Sequence, residues 1–107
     1  MNKYGAKKTT VDGITFDSQK EALRWCELGI MAKAGAIEDL QRQVKFELVG
    51  KNEKFRAHYY IADFVYRENG RLVVEDVKGM KKGAAYQLFR LKQAIMKDRY
   101  GIDVKEV

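Results

Sequence analysis

The sequence predicts an α/β (α+β) fold in which a mixed central β-sheet is flanked by helices. Three observations carry that prediction. Strand-like and helix-like apolar patterns follow one another in the order ββ-α-βββ-α-β. Asn69-Gly70 separates two runs rich in aromatic and β-branched residues, the mark of a long hairpin. Two further segments place apolar residues at helical spacing, and each ends on a glycine.

The elements follow in order. Thr9-Thr10-Val11 and Ile14-Thr15-Phe16 flank Asp12-Gly13, a two-residue turn, and form a small hairpin. Ser18 is an N-cap, and Glu21 three residues later completes a capping box. Leu23, Cys26, Ile30 and Ala34 supply the core stripe of the helix that follows, with Cys26 as a small buried hydrophobe, and Gly35 stops it. Val44, Phe46 and Leu48 alternate with Lys45 and Glu47, as in a strand with one buried face. Residues 57–66 and 72–77 are the arms of the central hairpin. A second helix covers residues 84–100 with Leu88, Leu91 and Ile95 as its core stripe, and residues 102–107 form a last short strand. Trp25 and Tyr59 read as core or interface residues.

A chain of 107 residues suits a single domain over 1–107. No apolar run reaches the roughly 18–20 residues of a membrane span, and no charged-then-apolar leader opens the chain. Cys26 is the lone cysteine and His58 the lone histidine, so a thiolate or His-rich metal centre is excluded. The expected compartment is a reducing cytoplasm. Any metal must be a hard ion held by oxygen, magnesium or its substitute manganese.

The net charge of +6 is segregated. Lys3, Lys7 and Lys8 lie in an acid-free stretch over 1–11, and Lys78, Lys81, Lys82, Arg90, Lys92 and Lys97 lie in another over 77–97. Charge sorted in this way suits a polyanion such as DNA, and equally a solvated surface.

The Asn69-Gly70 turn fixes a register. Counting outward from it places Asp63 opposite Asp76, with both side chains on one face of the sheet and Lys78 on that same side. The same-face neighbours Ile61, Val65, Leu72 and Val74 are apolar, so the two acids are expected under cover. Facing carboxylates repel, and burial penalises each ionised form. Either a divalent ion offsets the cost, or Lys78 does so as an ordinary salt bridge, or the register slips and the two acids do not meet.

Asp63, followed after one β-turn by Asp76-Val77-Lys78, resembles the motif of the PD-(D/E)XK nucleases. Glu21 matches the additional acid that many members carry on their first core helix. Phe16-Asp17-Ser18, Ile61-Ala62-Asp63-Phe64, Val74 to Gly79 and Asp98-Arg99-Tyr100-Gly101-Ile102 look like a family of small phage proteins. That family is related to Holliday junction resolvases of the RecU and phage endonuclease I type. The resemblance covers residues 4–107. It departs from the pattern in having Ala62 where the proline stands and Asp76 where glutamate is commoner.

The resemblance implies a restriction-endonuclease-like core and a magnesium-dependent endonuclease that cuts branched DNA, such as a four-way junction, as a homodimer. Asp63 and Asp76 then hold the metal, with Glu21 and the Val77 carbonyl as further ligands. Lys78 positions or deprotonates the attacking water. Glu21 keeps a second reading as helix cap alone. Lys7, Lys8, Lys81, Lys82, Tyr86, Arg90 and Lys97 are the expected DNA contacts, against the alternative of a solvated helix face and an idle terminus. Gln41 and Gln43 flank a strand entry and read either as facing the scissile phosphate or, by preference, as an exposed strand edge, and His58 projects to the face away from Asp63. The rival functions are a nicking or end-processing nuclease, a non-catalytic DNA-binding module and a structural protein whose acids form a salt-bridge cluster.

Overall fold

The structure is a computed structural model and describes residues 7–107. Lys3 lies outside them. β1 (Thr9–Val11) and β2 (Ile14–Phe16) pair across Asp12 and Gly13, whose φ values of 48° and 80° are those of a type I′ turn. α1 (Gln19–Lys33) begins at Ser18, whose Oγ accepts the Glu21 backbone N–H at 3.1 Å. β3 (Glu38–Val49), β4 (His58–Glu68) and β5 (Arg71–Asp76) form an antiparallel meander. α2 (Ala84–Tyr100) then ends on Gly101, left-handed at φ 69°. The short β6 (Lys105–Glu106) lies parallel to β5. The sheet order is β3-β4-β5-β6, so the fold is the mixed α+β sheet that the pattern predicts. β3 starts earlier, and β6 is shorter, than alternation alone suggests.

The two faces of the sheet carry separate cores. α1 and the β1–β2 hairpin bury Phe16, Ala22, Leu28, Ile37, Phe64 and Tyr66 on one side. Trp25 lies between Phe16 and Phe64, with ring centroids 6.2 and 6.0 Å away. α2 buries Leu48, Tyr60, Ala62, Val65, Val74, Phe89, Met96 and Val104 on the other.

Strict alternation would put residues 60, 62, 64 and 66 on one face. They divide instead, with Tyr60 and Ala62 under α2 and Phe64 and Tyr66 under α1. The change of face therefore falls at Asp63. β3 changes face at the neighbouring position. Val44 and Phe46 pack toward α2 and Leu40 toward α1, and Gln43 between them is left-handed at φ 54°. A paired irregularity thus crosses both strands at one level of the sheet, where it re-aims side chains. It also corrects the expected cover of the aspartates. Val65 and Val74 are buried on the α2 side, but Ile61, on the far side of the switch, is 48% exposed, and Leu72 is exposed as well.

Both helices are rotated from their predicted faces. On α1, Ala22 and Leu28 are buried, whereas Leu23 (66%), Cys26 and Ile30 (69%) are exposed. Two apolar stripes run along this helix, and polar anchors choose between them. Arg24 reaches inward to Glu75 of β5, with Nε–Oε1 at 2.8 Å and Nη2–Oε2 at 2.6 Å. That bidentate pair, completed by the Tyr66 hydroxyl, turns the Ala22–Leu28 side toward the sheet. On α2, Phe89 and Met96 are buried with Ile95 against them, while Leu88 and Leu91 face outward.

Candidate functional site

The Asn69-Gly70 turn is left-handed at both residues (φ 54° and 76°), and the β4–β5 ladder runs from Glu68 opposite Arg71 to Phe64 opposite Glu75. This is the register read from the sequence. The regular ladder stops one pair short of Asp63 and Asp76, at the level of the face switch. Asp63 Oδ2 there accepts the Val77 backbone N–H at 2.8 Å, and Gln43 Nε2 donates to Oδ1 at 3.3 Å.

Asp63 and Asp76 open into one cavity of about 610 Å³ where β5 ends beside the middle of β4. Its wall also includes Lys20 and Glu21 from the first turn of α1, and Val77, Lys78 and Lys82 from the segment after β5. The cap at Ser18 brings Glu21 here. Its backbone N–H is held by Ser18, and its buried carboxyl lies beside Asp63. Local capping and placement in the cavity therefore use different parts of one residue.

The electrostatics follow from burial and like charge. Burial first, then the adjacent Glu21 carboxyl, push Asp63 up to about 7. Burial and the nearby Asp63 carboxylate raise Asp76 as well. Lys78 Nζ lies 2.6 Å from Asp76 Oδ2, and the Tyr60 hydroxyl donates to Oδ1 at 2.9 Å. The same ammonium is 4.0 Å from the centroid of the Phe89 ring. Tyr60 is itself held in its neutral form, first by burial and then by the Asp76 charge.

One family model, described as a protein of unknown function (DUF1064), matches residues 1–106. The chain belongs to the DUF1064 family. No curated protein and no solved structure matches it.

Two residues at this site, Tyr60 and Lys20, escape a sequence reading, and a third, Gln43, is only half read. Tyr60 is one of several aromatics in a strand, and only the bridge to Asp76 distinguishes it. Gln43, which the sequence leaves between a place facing the phosphate and an exposed edge, donates to Asp63 from a backbone that is left-handed at φ 54°. Lys20 donates to the Lys78 backbone carbonyl at 2.7 Å, tying α1 to the segment after β5. Its place in the first helical turn, one residue before Glu21, was the available signal.

The expected DNA contacts divide. Lys82 and Tyr86 line the cavity. Tyr86 also donates to Glu106 Oε1 at 2.8 Å, and Lys81 and Arg90 lie 3.8 and 3.5 Å from the same carboxylate. Lys97 pairs with Asp103 at 2.9 Å. The basic face of α2 is thus partly offset by acids around β6. Lys7 and Lys8 are exposed beside β1, and His58 and Gln41 are exposed away from the cavity.

Magnesium requires hard oxygen donors, and the carboxyls of Glu21, Asp63 and Asp76 supply them. Asp63 and Asp76 carry a raised proton affinity that a cation would replace. Among the described residues no three metal-binding side chains form a ready-made cage. Each Asp76 oxygen has one partner, Tyr60 or Lys78, and keeps a lone pair that an ion could take. The donor chemistry fits. The Val77 N–H donates to Asp63 Oδ2, and the carbonyl oxygen is the one atom of Val77 that could serve a hard ion.

Proposed function

We propose that this chain is a magnesium-dependent endonuclease acting on branched DNA, as a homodimer in the manner of a junction resolvase. The observation that supports the reading is the meeting of Glu21, Asp63, Asp76 and Lys78 in one cavity, from a helix, two strands and the segment beyond them. Such a group of acids beside an ammonium suits in-line displacement at a phosphodiester. A bound magnesium ion would polarise a phosphoryl oxygen and acidify water.

The protein's own part is positioning. Asp63 is fixed by Val77 N–H and Gln43, so its carboxyl keeps one orientation toward the cavity. Lys78, held between Asp76 and the Phe89 ring, presents a cation where charge develops on the phosphate. Lys20 and Lys82 add positive charge at the rim. Paired cuts across a four-way junction require two such sites, and hence two copies of the chain.

A second reading has its own support. Both Asp76 oxygens have partners within the protein, as in a DNA-binding module whose acid pair is a compensated structural cluster. One experiment separates the two. Wild type and Asp76→Asn are incubated with a labelled four-way junction or linear duplex, with and without magnesium. The nuclease reading requires magnesium-dependent scission by wild type, greater on the junction, and its loss in Asp76→Asn. Binding without scission under every condition establishes the second reading.

A further inference from the structure

The face switch at Asp63 turns Tyr59 and Ile61 of β4 to the side of the sheet that α1 covers farther along, but the core under α1 stops at Phe64. Among the described residues, no helix packs on the ribbon beyond it. Tyr59 is 37% exposed and Ile61 48% exposed, and Ile61 is also part of the wall of the carboxylate cavity. Lys45, opposite Ile61 on β3, holds its ammonium 4.6 Å from the centre of the Tyr59 ring. The result is a strip running out of the cavity that combines an aliphatic side chain, an aromatic ring and a cation.

We propose that this strip is a stacking platform for the base left unstacked at a branch point, on the DNA strand whose phosphate enters the cavity. The proposal rests on the nuclease reading for the cavity's ligand and adds the feature that selects branched substrates. An aromatic ring accepts any base by stacking, and an adjacent ammonium holds the backbone, the combination used for single strands. In the absence of DNA, Lys45 occupies the ring face through a cation–π contact, and a phosphate draws it away without a conformational change in the sheet. Charge favours the same ligand, because Lys45 at the strip and Lys20, Lys78 and Lys82 at the cavity lie along one path. Fully paired duplex keeps its bases stacked on one another and offers the platform nothing. A branch point interrupts the helical stack, so the base beside it offers a free face even though it stays paired.

The test uses the full chain in chelator, where binding is read without scission. A four-way junction and a matched linear duplex carry 2-aminopurine at the position flanking the branch. Wild type is expected to change the 2-aminopurine fluorescence of the junction and not of the duplex. Tyr59→Phe keeps the signal. Tyr59→Ala loses it and weakens junction binding about tenfold or more, the scale of one lost base–aromatic stack. Circular dichroism melting establishes that both variants are folded, and Lys45→Ala provides a second variant, expected to weaken binding with the fluorescence change retained. Tyr59→Ala binding the junction as wild type does, with the same fluorescence change, overturns the platform even where magnesium supports cutting. A Tyr59-dependent signal in a chain that never cuts leaves the platform standing and removes the nuclease reading. No binding of either DNA in chelator overturns the platform, and the nuclease reading is then decided by scission with magnesium.

Discussion

At Glu21, one residue serves two ends: its N–H belongs to the helix cap and its carboxyl to the cavity. Glu21→Gln keeps a polar group of the same length, whereas Glu21→Ala removes it. If the carboxyl acts on the metal, both variants lose magnesium-dependent cleavage about a hundredfold or more while their melting temperatures stay near wild type. Retention of full cleavage by Gln assigns Glu21 a structural role alone. Asp63 gives a pH dependence with a definite sign. Its folded-state pKa of about 7, set by burial and then by Glu21, lies above that of an unfolded aspartate. The native chain therefore holds a proton that the unfolded chain has released. The associated stability is present in acid and lost as pH rises through about 7. The melting temperature of chelator-treated protein is expected to fall between pH 5 and pH 8, less steeply in Asp63→Asn, with magnesium restoring it at pH 8. A rise across that window in the absence of metal contradicts the assignment. Glu75 acts at lower pH. Burial opposes its charge, but Arg24 and Tyr66 outweigh burial and hold it below the usual range, so its stabilisation disappears only in stronger acid.

Among the elements, α1 is fixed by a charge pair as much as by apolar contact. Glu75 is fully buried, and Arg24 is its sole charged hydrogen-bond partner among the described residues. Arg24→Ala leaves an uncompensated carboxylate under the helix. The expected loss is about 3–5 kcal/mol in urea unfolding at neutral pH, partly recovered by Glu75→Gln in the same chain. A loss under about 1 kcal/mol would show that the helix is placed by packing alone. The same element shows why the exposed stripe was misread. Leu23, Cys26, Ile30 and Ala34 fit helical periodicity as well as Ala22, Trp25 and Leu28 do. Periodicity reports that a helix has an apolar face, and two overlapping faces cannot be ranked without the partner that Arg24 finds 51 residues later.

For the whole molecule, the two uncovered stripes, Leu23 and Ile30 on α1 and Leu88 and Leu91 on α2, lie on helices covering opposite faces of the sheet. The α1 stripe is the more exposed, and the proposed dimer is expected to use it. Sedimentation equilibrium should give twice the chain mass for wild type and the chain mass for Leu23→Lys/Ile30→Lys, with Leu88→Lys/Leu91→Lys still paired. Monomeric wild type at micromolar concentration rules out the dimer, and a monomer from the α2 variant alone moves the interface to the other face. Charge, too, acts at this scale. The lysines and arginine expected to meet DNA along α2 are drawn toward Glu106 and Asp103, residues that come from the last strand and the turn before it.

The sequence by itself determined the features that depend on neighbours along the chain: both type I′ turns, the Ser18 cap, the glycine stop at Gly101, and the register that brings Asp63 toward Asp76. Each is a matter of a few dihedral angles and hydrogen bonds within about four residues, so the residue types are sufficient. Tertiary structure alone decided which stripe of each helix is buried, where the strands change face, and that Gln43, Tyr60 and Lys20 join the carboxylates. Those outcomes turn on contacts between distant segments. A glutamine at an edge and a glutamine holding an aspartate look the same until the sheet has formed around them.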